Sequence, residues 1–71
     1  MTFTLDEEYI ELFKLLKVMG VAESGAHAKT FIEEGHVKRN GEVETRKRAK
    51  IVSGKRIEVG GEEIEIRNIL S

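Results

Sequence analysis

The sequence predicts an α+β fold in which two packed helices are followed by a small, mostly antiparallel sheet. Three observations carry this. Apolar residues between Leu5 and Met19 recur at the helical period. The stretch Gly20 to Gly41 is punctuated as helix, short turn, helix, strand and turn, with Gly20 and Gly35 placed to stop helices and Ser24 placed to start one. After Gly35 the apolar period changes to that of strands. At 71 residues the chain has room for one domain, spanning 1–71, near the size at which roughly 60% of the unfolded surface is buried.

Each element has its own signal. Thr4-Leu-Asp-Glu7 fits a capping box, so the first helix is expected to start there, with Asp6 and Glu7 at the positive end of its dipole. Leu5, Tyr9, Leu12, Phe13, Leu15, Leu16 and Met19 then share an arc about 160° wide, opposite Glu7, Glu11, Lys14 and Lys17. Ile10 and Val18 break the pattern and are candidates to meet the C-terminal strands. The second helix, near Gly25 to Glu34, packs through Ala28, Phe31 and Ile32 and turns Lys29 elsewhere. Val37 and Val43 bracket Asn40-Gly41, a strong hairpin signal. A second hairpin alternates Ile57 and Val59 with Ile64 and Ile66 about Gly60-Gly61. Helices on one face of the sheet complete the expected architecture.

Composition excludes several classes. Without cysteine there are no disulfides and no thiolate metal sites, and a reducing cytoplasm is the natural home. The acidic N-terminus lacks the basic start and apolar run of a signal peptide, and no apolar stretch approaches the ~18 residues of a membrane helix. Net charge is −1, but it is segregated. Residues 1–13 carry −4 and residues 57–71 carry −3, whereas residues 38–56 hold eight bases against two acids. Because screening acts over about 8 Å at physiological salt, a ligand near this stretch responds to the local +6 rather than to the total. A polyanion is the ligand class such a patch attracts.

Further along, the residues carry a family likeness. A leucine-rich turn, Gly20, Ser24, Ala28, Ile32, Gly35, Val37, Asn40-Gly41, Val52-Ser-Gly54 and Ile57 together resemble the S4 RNA-binding domain over about residues 9–59. Glu44-Thr-Arg-Lys-Arg48 in so short a chain is similar to the small stand-alone bacterial S4-like proteins, some of them linked to ribosomes. The resemblance implies an αL-type motif, with the helix pair and adjoining loop facing RNA. Departures redistribute the charge: Glu11-Leu12-Phe13 stands where Arg-Leu-Asp is common, Gly25 where Arg commonly follows the serine, Arg39 where a small aliphatic is usual, and Gly54-Lys55 where Gly-Asp is usual. Only Lys29 matches a base that such domains carry on the helices. The expected RNA-binding residues are therefore Lys29, Lys38, Arg39, Arg46, Lys47, Arg48, Lys50, Lys55 and Arg56.

Simpler roles compete at several of these positions. Ser24 reads first as an N-cap worth about 1 kcal/mol. Lys38 and Arg39 also suit the protection of a strand edge. His27 and His36 are nine positions apart with no third ligand in view, so no metal or other cofactor is expected. Tyr9 and Phe31 fit core stripes, which leaves no evident aromatic for base stacking. No serine has a nucleophile's flanking motif, and Gly60-Gly61 lacks the Gly-Lys-Ser/Thr of a phosphate loop, so neither an enzyme nor a small-molecule substrate is expected. The sequence thus reads as a monomeric, non-enzymatic protein of the bacterial cytoplasm that docks on structured RNA, ribosomal RNA or a ribosomal particle above all, in translation. The competing class is an interaction adaptor, in which the acidic segments hold a basic ribosomal or other translation protein.

Overall fold

A strand, rather than the expected helical turn, opens the chain. The computed structural model describes residues 1–69, and in it Thr2–Leu5 (β1) lies parallel to Glu62–Asn68 (β7), with Thr2 opposite Glu65 and Leu5 opposite Asn68. Thr-Phe-Thr-Leu satisfies a two-residue period as well as a helical one. Phe3 packs on the core and Leu5 is buried, while Thr2 and Thr4 are exposed. The Thr4–Glu7 capping box is therefore not formed. Tyr9, assigned to the apolar arc, is instead 38% exposed, because the helix starts only at Leu12.

The first helix, Leu12–Val18 (α1), is half the expected length. Its N-cap, Glu11, supplies no side-chain acceptor. The first amides are satisfied instead by a distant loop: Leu12 N–H donates to the Ala49 carbonyl at 2.9 Å and Phe13 N–H to that of Lys47 at 3.1 Å. Just before it, Ile10–Glu11 (β2) pairs antiparallel with Lys50–Ile51 (β5), placing Ile10 opposite Ile51. Ile10 thus meets a strand, though one from mid-chain, while Val18 stays exposed at 63%.

Gly25–Glu33 (α2) begins as expected. The Ser24 side chain accepts from the His27 amide at 3.1 Å. Gly35, with φ +80°, ends it, donating to the Ile32 carbonyl while His36 donates to that of Phe31. Both predicted hairpins form. Val37–Arg39 (β3) and Glu42–Val43 (β4) are joined by Asn40-Gly41 with φ values of +51° and +87°, the two positive angles that a type I′ turn demands. Arg56–Val59 (β6) turns at Gly60-Gly61 into β7.

The five-stranded sheet runs β1-β7-β6-β3-β4, antiparallel except for β1 and β7. One cluster joins Leu12, Leu15 and Leu16 of α1 and Ala28 and Ile32 of α2 to Val37, Ile57, Val59, Ile64 and Ile66 of the sheet. Burying each Leu, Ile or Val contributes about 1.5–3 kcal/mol. Ile51 of β5 is fully buried in this cluster and Ala49 nearly so, which ties the basic segment to the core on both sides of Lys50.

Candidate nucleic-acid interface

Residues 44–50 leave the sheet at β4, and one carboxylate fixes their path. Glu44 is 7% exposed although it lies in the most basic part of the chain. Its Oε2 accepts from the Arg46 backbone N–H at 3.1 Å and from Arg46 Nε at 3.0 Å, and its Oε1 accepts from Arg46 Nη2 at 3.0 Å. Arg39 Nη2, arriving from β3, lies 3.2 Å from the same Oε1. The bonds from the Arg46 guanidinium, helped by the Arg46 backbone N–H and the charge of Arg39, hold the Glu44 carboxyl below its ordinary value of 4.5 against the opposing effect of burial. The sequence marks Glu44 as an acid in a basic run and as the start of the Glu44-Thr-Arg-Lys-Arg48 stretch, but not as a brace. Its pairing with Arg39 becomes visible only once the hairpin is folded.

Pinned in this way, the loop brings four of the nine predicted cations to one groove, lined by Arg39, Arg46, Arg48, Ala49 and Lys50. The side chains of Arg46 and Arg48 are 68% and 71% exposed. Bonding to Glu44 occupies two of the five N–H donors of Arg46, leaving three to offer an anion. Lys47 faces away from this set and pairs with Glu33 of α2 at 3.1 Å. Lys50 lies 5.0 Å over the ring of Tyr9, a surface cation–π pair in place of the core position assigned to Tyr9.

Lys29 belongs to a neighbouring cluster centred on Phe13. Its Nζ lies 4.7 Å from the ring centroid, with Arg48 Cζ at 5.6 Å and Lys14 Nζ at 6.0 Å. Phe13 is half-buried, so its ring is open to the cationic surface rather than sealed in the core. Phe13, placed with the apolar arc, packs against the core with part of its surface left open. The available signal was the departure itself, a phenylalanine where the S4 pattern commonly has aspartate.

The remaining three predicted cations lie apart. Lys38 sits on the strand face opposite buried Val37, across from Glu58. Lys55 and Arg56 line a separate groove with Glu58 and Glu65, and Arg56 Nε pairs with Glu63 at 3.1 Å. His27 and His36 flank Phe31 at ring-centroid distances of 4.6 and 5.9 Å, and His27 Nδ1 accepts from the Glu23 amide. Among the described residues no Lys or Arg lines the hollow formed by Met19, Val21, Phe31, His36, Val59 and Glu62.

Comparison with known proteins identifies the family. The sequence profile of the S4 domain family matches residues 3–67. YbcJ of Escherichia coli (strain K12), whose name gives RNA binding as a provisional assignment, is 48% identical over 66 residues, covering 92% of this chain and 94% of its own. A YbcJ of Shigella flexneri, named as uncharacterized, matches to the same extent. The solution structure of the Escherichia coli protein, described as revealing an αL motif involved in RNA binding, superposes with a TM-score of 0.72 over 93% of this chain and 85% of that one.

Proposed function

The chain belongs to the S4 domain family, and from that premise we propose that it is a non-enzymatic RNA-binding protein that docks on structured RNA, ribosomal RNA in particular, through residues 39–50. The observation that carries this reading is the convergence of Arg39, Arg46, Arg48 and Lys50 on one groove whose backbone is held by Glu44 and by α1. Guanidinium forks suit phosphate oxygens because planar paired donors match them, and an ammonium adds a point charge. Prearranged cations need little ordering when the ligand arrives, so more of the electrostatic attraction remains as affinity. The relatives' RNA-binding descriptions support the same choice of polyanion.

Salt dependence tests it. Four phosphate contacts imply a slope of log K against log salt near −3, and hence about a hundredfold loss of affinity between about 50 and 200 mM salt. Cosedimentation with a ribosomal subunit or its precursor is expected at low salt, with release at high salt. Absence from every ribosomal fraction at low salt would remove the ribosomal assignment. Persistence after nuclease digestion of the RNA would favour the adaptor reading instead.

A further inference from the structure

We propose that Phe13 is a stacking platform for one unpaired base, with Lys29 and Arg48 taking the phosphates beside it. The assignment rests on the RNA-binding reading and narrows its ligand to an RNA that presents an unstacked nucleotide. Three features of the site point there. First, Phe13 differs from its neighbours on α1: Leu12, Leu15 and Leu16 are fully buried, whereas Phe13 keeps part of its ring at the surface. Second, Lys29, Arg48 and Lys14 lie within 6.0 Å of its centroid, Lys14 and Arg48 also pairing with Glu11 at 3.3 and 3.6 Å while Lys29 stands closest to the ring; among the described residues no other aromatic has more than one such cation. Third, α2 begins beside the ring with Gly25, where a Cβ would stand 3.7 Å from Phe13 Cδ2, so that position places no side chain against the ring.

The position is also the right one along a bound strand. Arg48 both lines the groove and overhangs Phe13, and the Phe13 amide is held by the Lys47 carbonyl. A backbone following the groove therefore reaches the ring through Arg48. Competition for the ring face favours the base. A cation over an exposed ring is worth about a two- to fivefold factor in an equilibrium constant. A base stacked on an aromatic side chain is worth about fivefold to more than a hundredfold. The displaced ammonium and guanidinium gain phosphates flanking the base, so the exchange satisfies both partners. Unpaired bases in loops and bulges are the usual target of such aromatics, because a paired base has no free face to offer.

The chain contains no tryptophan, so Phe13→Trp introduces a single indole as reporter. The probes are an RNA hairpin with an unpaired loop and the same stem closed as an uninterrupted duplex. The hairpin should quench the indole and the duplex should leave it bright. Phe13→Leu, checked for native circular dichroism, should weaken hairpin binding about tenfold, with duplex affinity and the salt slope unchanged. A hairpin that binds the Trp variant without quenching would overturn the assignment, as would an equal loss for both RNAs in the Leu variant; in either case the RNA-binding reading stands. If the wild-type chain binds neither RNA at low salt, the assignment and that reading fall together.

Discussion

The C-terminal hairpin and the loop at 44–50 are both dense in charge, but they pair it in different ways. On the outer face of β6 and β7, acids and bases alternate along exposed strands. Glu58 sits directly opposite Glu63, an unfavourable like-charge pair, and Arg56 reaches past its own partner Glu65 to relieve it at 3.1 Å. Arg67 pairs with Glu65 at 3.0 Å on the same face. More than half of each side chain in these two ion pairs is exposed, and such pairs contribute about 0–1 kcal/mol. In the loop, a single buried acid holds two arginines from different elements, and every further charge is positive. The hairpin neutralises its surface. The loop uses one anion as a brace; Lys47 and Arg48 meet acids only from outside it, Glu33 at 3.1 Å and Glu11 at 3.6 Å, and Lys50 with the free donors of Arg46 and Arg48 remains for an external ligand.

The sharpest way to break the comparison is to reverse charge in each region. Arg46, Lys47 and Arg48 all changed to Glu should abolish ribosomal cosedimentation, an affinity loss well beyond about a hundredfold at low salt. Arg56 and Arg67 changed to Glu should alter binding only a few-fold. If the two reversals cost the same, binding follows overall charge and the groove is not the site.

Glu44→Gln tests the brace, and geometry and net charge predict opposite signs. The substitution adds one positive charge to the patch, so a purely electrostatic surface would bind RNA more tightly. With the carboxylate replaced, Arg39 and Arg46 share only a neutral amide oxygen and the second acceptor becomes an NH2 donor, so RNA affinity should instead fall severalfold, with a stability loss of about 1–2 kcal/mol by chemical denaturation. Glu44 also sets a pH dependence. Its folded carboxyl titrates below the ordinary value, so its stabilisation is complete above that value and is lost as pH falls through the folded one. The stability gap between wild type and Glu44→Gln should narrow as pH drops from about 5 to about 3. A gap that stays constant over that range would mean the carboxylate is not the stabilising species. The smallest effect belongs to the hairpin: Glu63→Gln should shift stability by no more than about 0.5 kcal/mol and leave RNA binding unchanged.

Local chemistry made much of the fold legible. Asn40-Gly41, Gly60-Gly61, Gly35 and Ser24 each specify their turn or cap through their own backbone or side chain, and each does so in the structure. Residues 2–11 were misread because Leu5 serves both periods. The preference of Thr2–Leu5 for a strand comes from β7, more than sixty residues away, and a short window cannot show that. The site was half legible for the same reason. The cations of 46–50 stand out as a run, whereas the burial of Glu44 and the cationic ring around Phe13 need Arg39, Lys29 and Arg48 to arrive from three separate elements.

The two carbonyls that close the first turn of α1 belong to Lys47 and Ala49, on either side of the groove residue Arg48. A loop that completes a helix cannot be redesigned alone. Inserting a residue between 46 and 50 would withdraw acceptors from α1 as well as shift the cations, so chain length here is constrained by two elements at once. The same linkage runs in reverse. Anything that stiffens the loop from outside also slows fraying of the helix, and the Leu12 and Phe13 amides should exchange with solvent more slowly when the groove is filled.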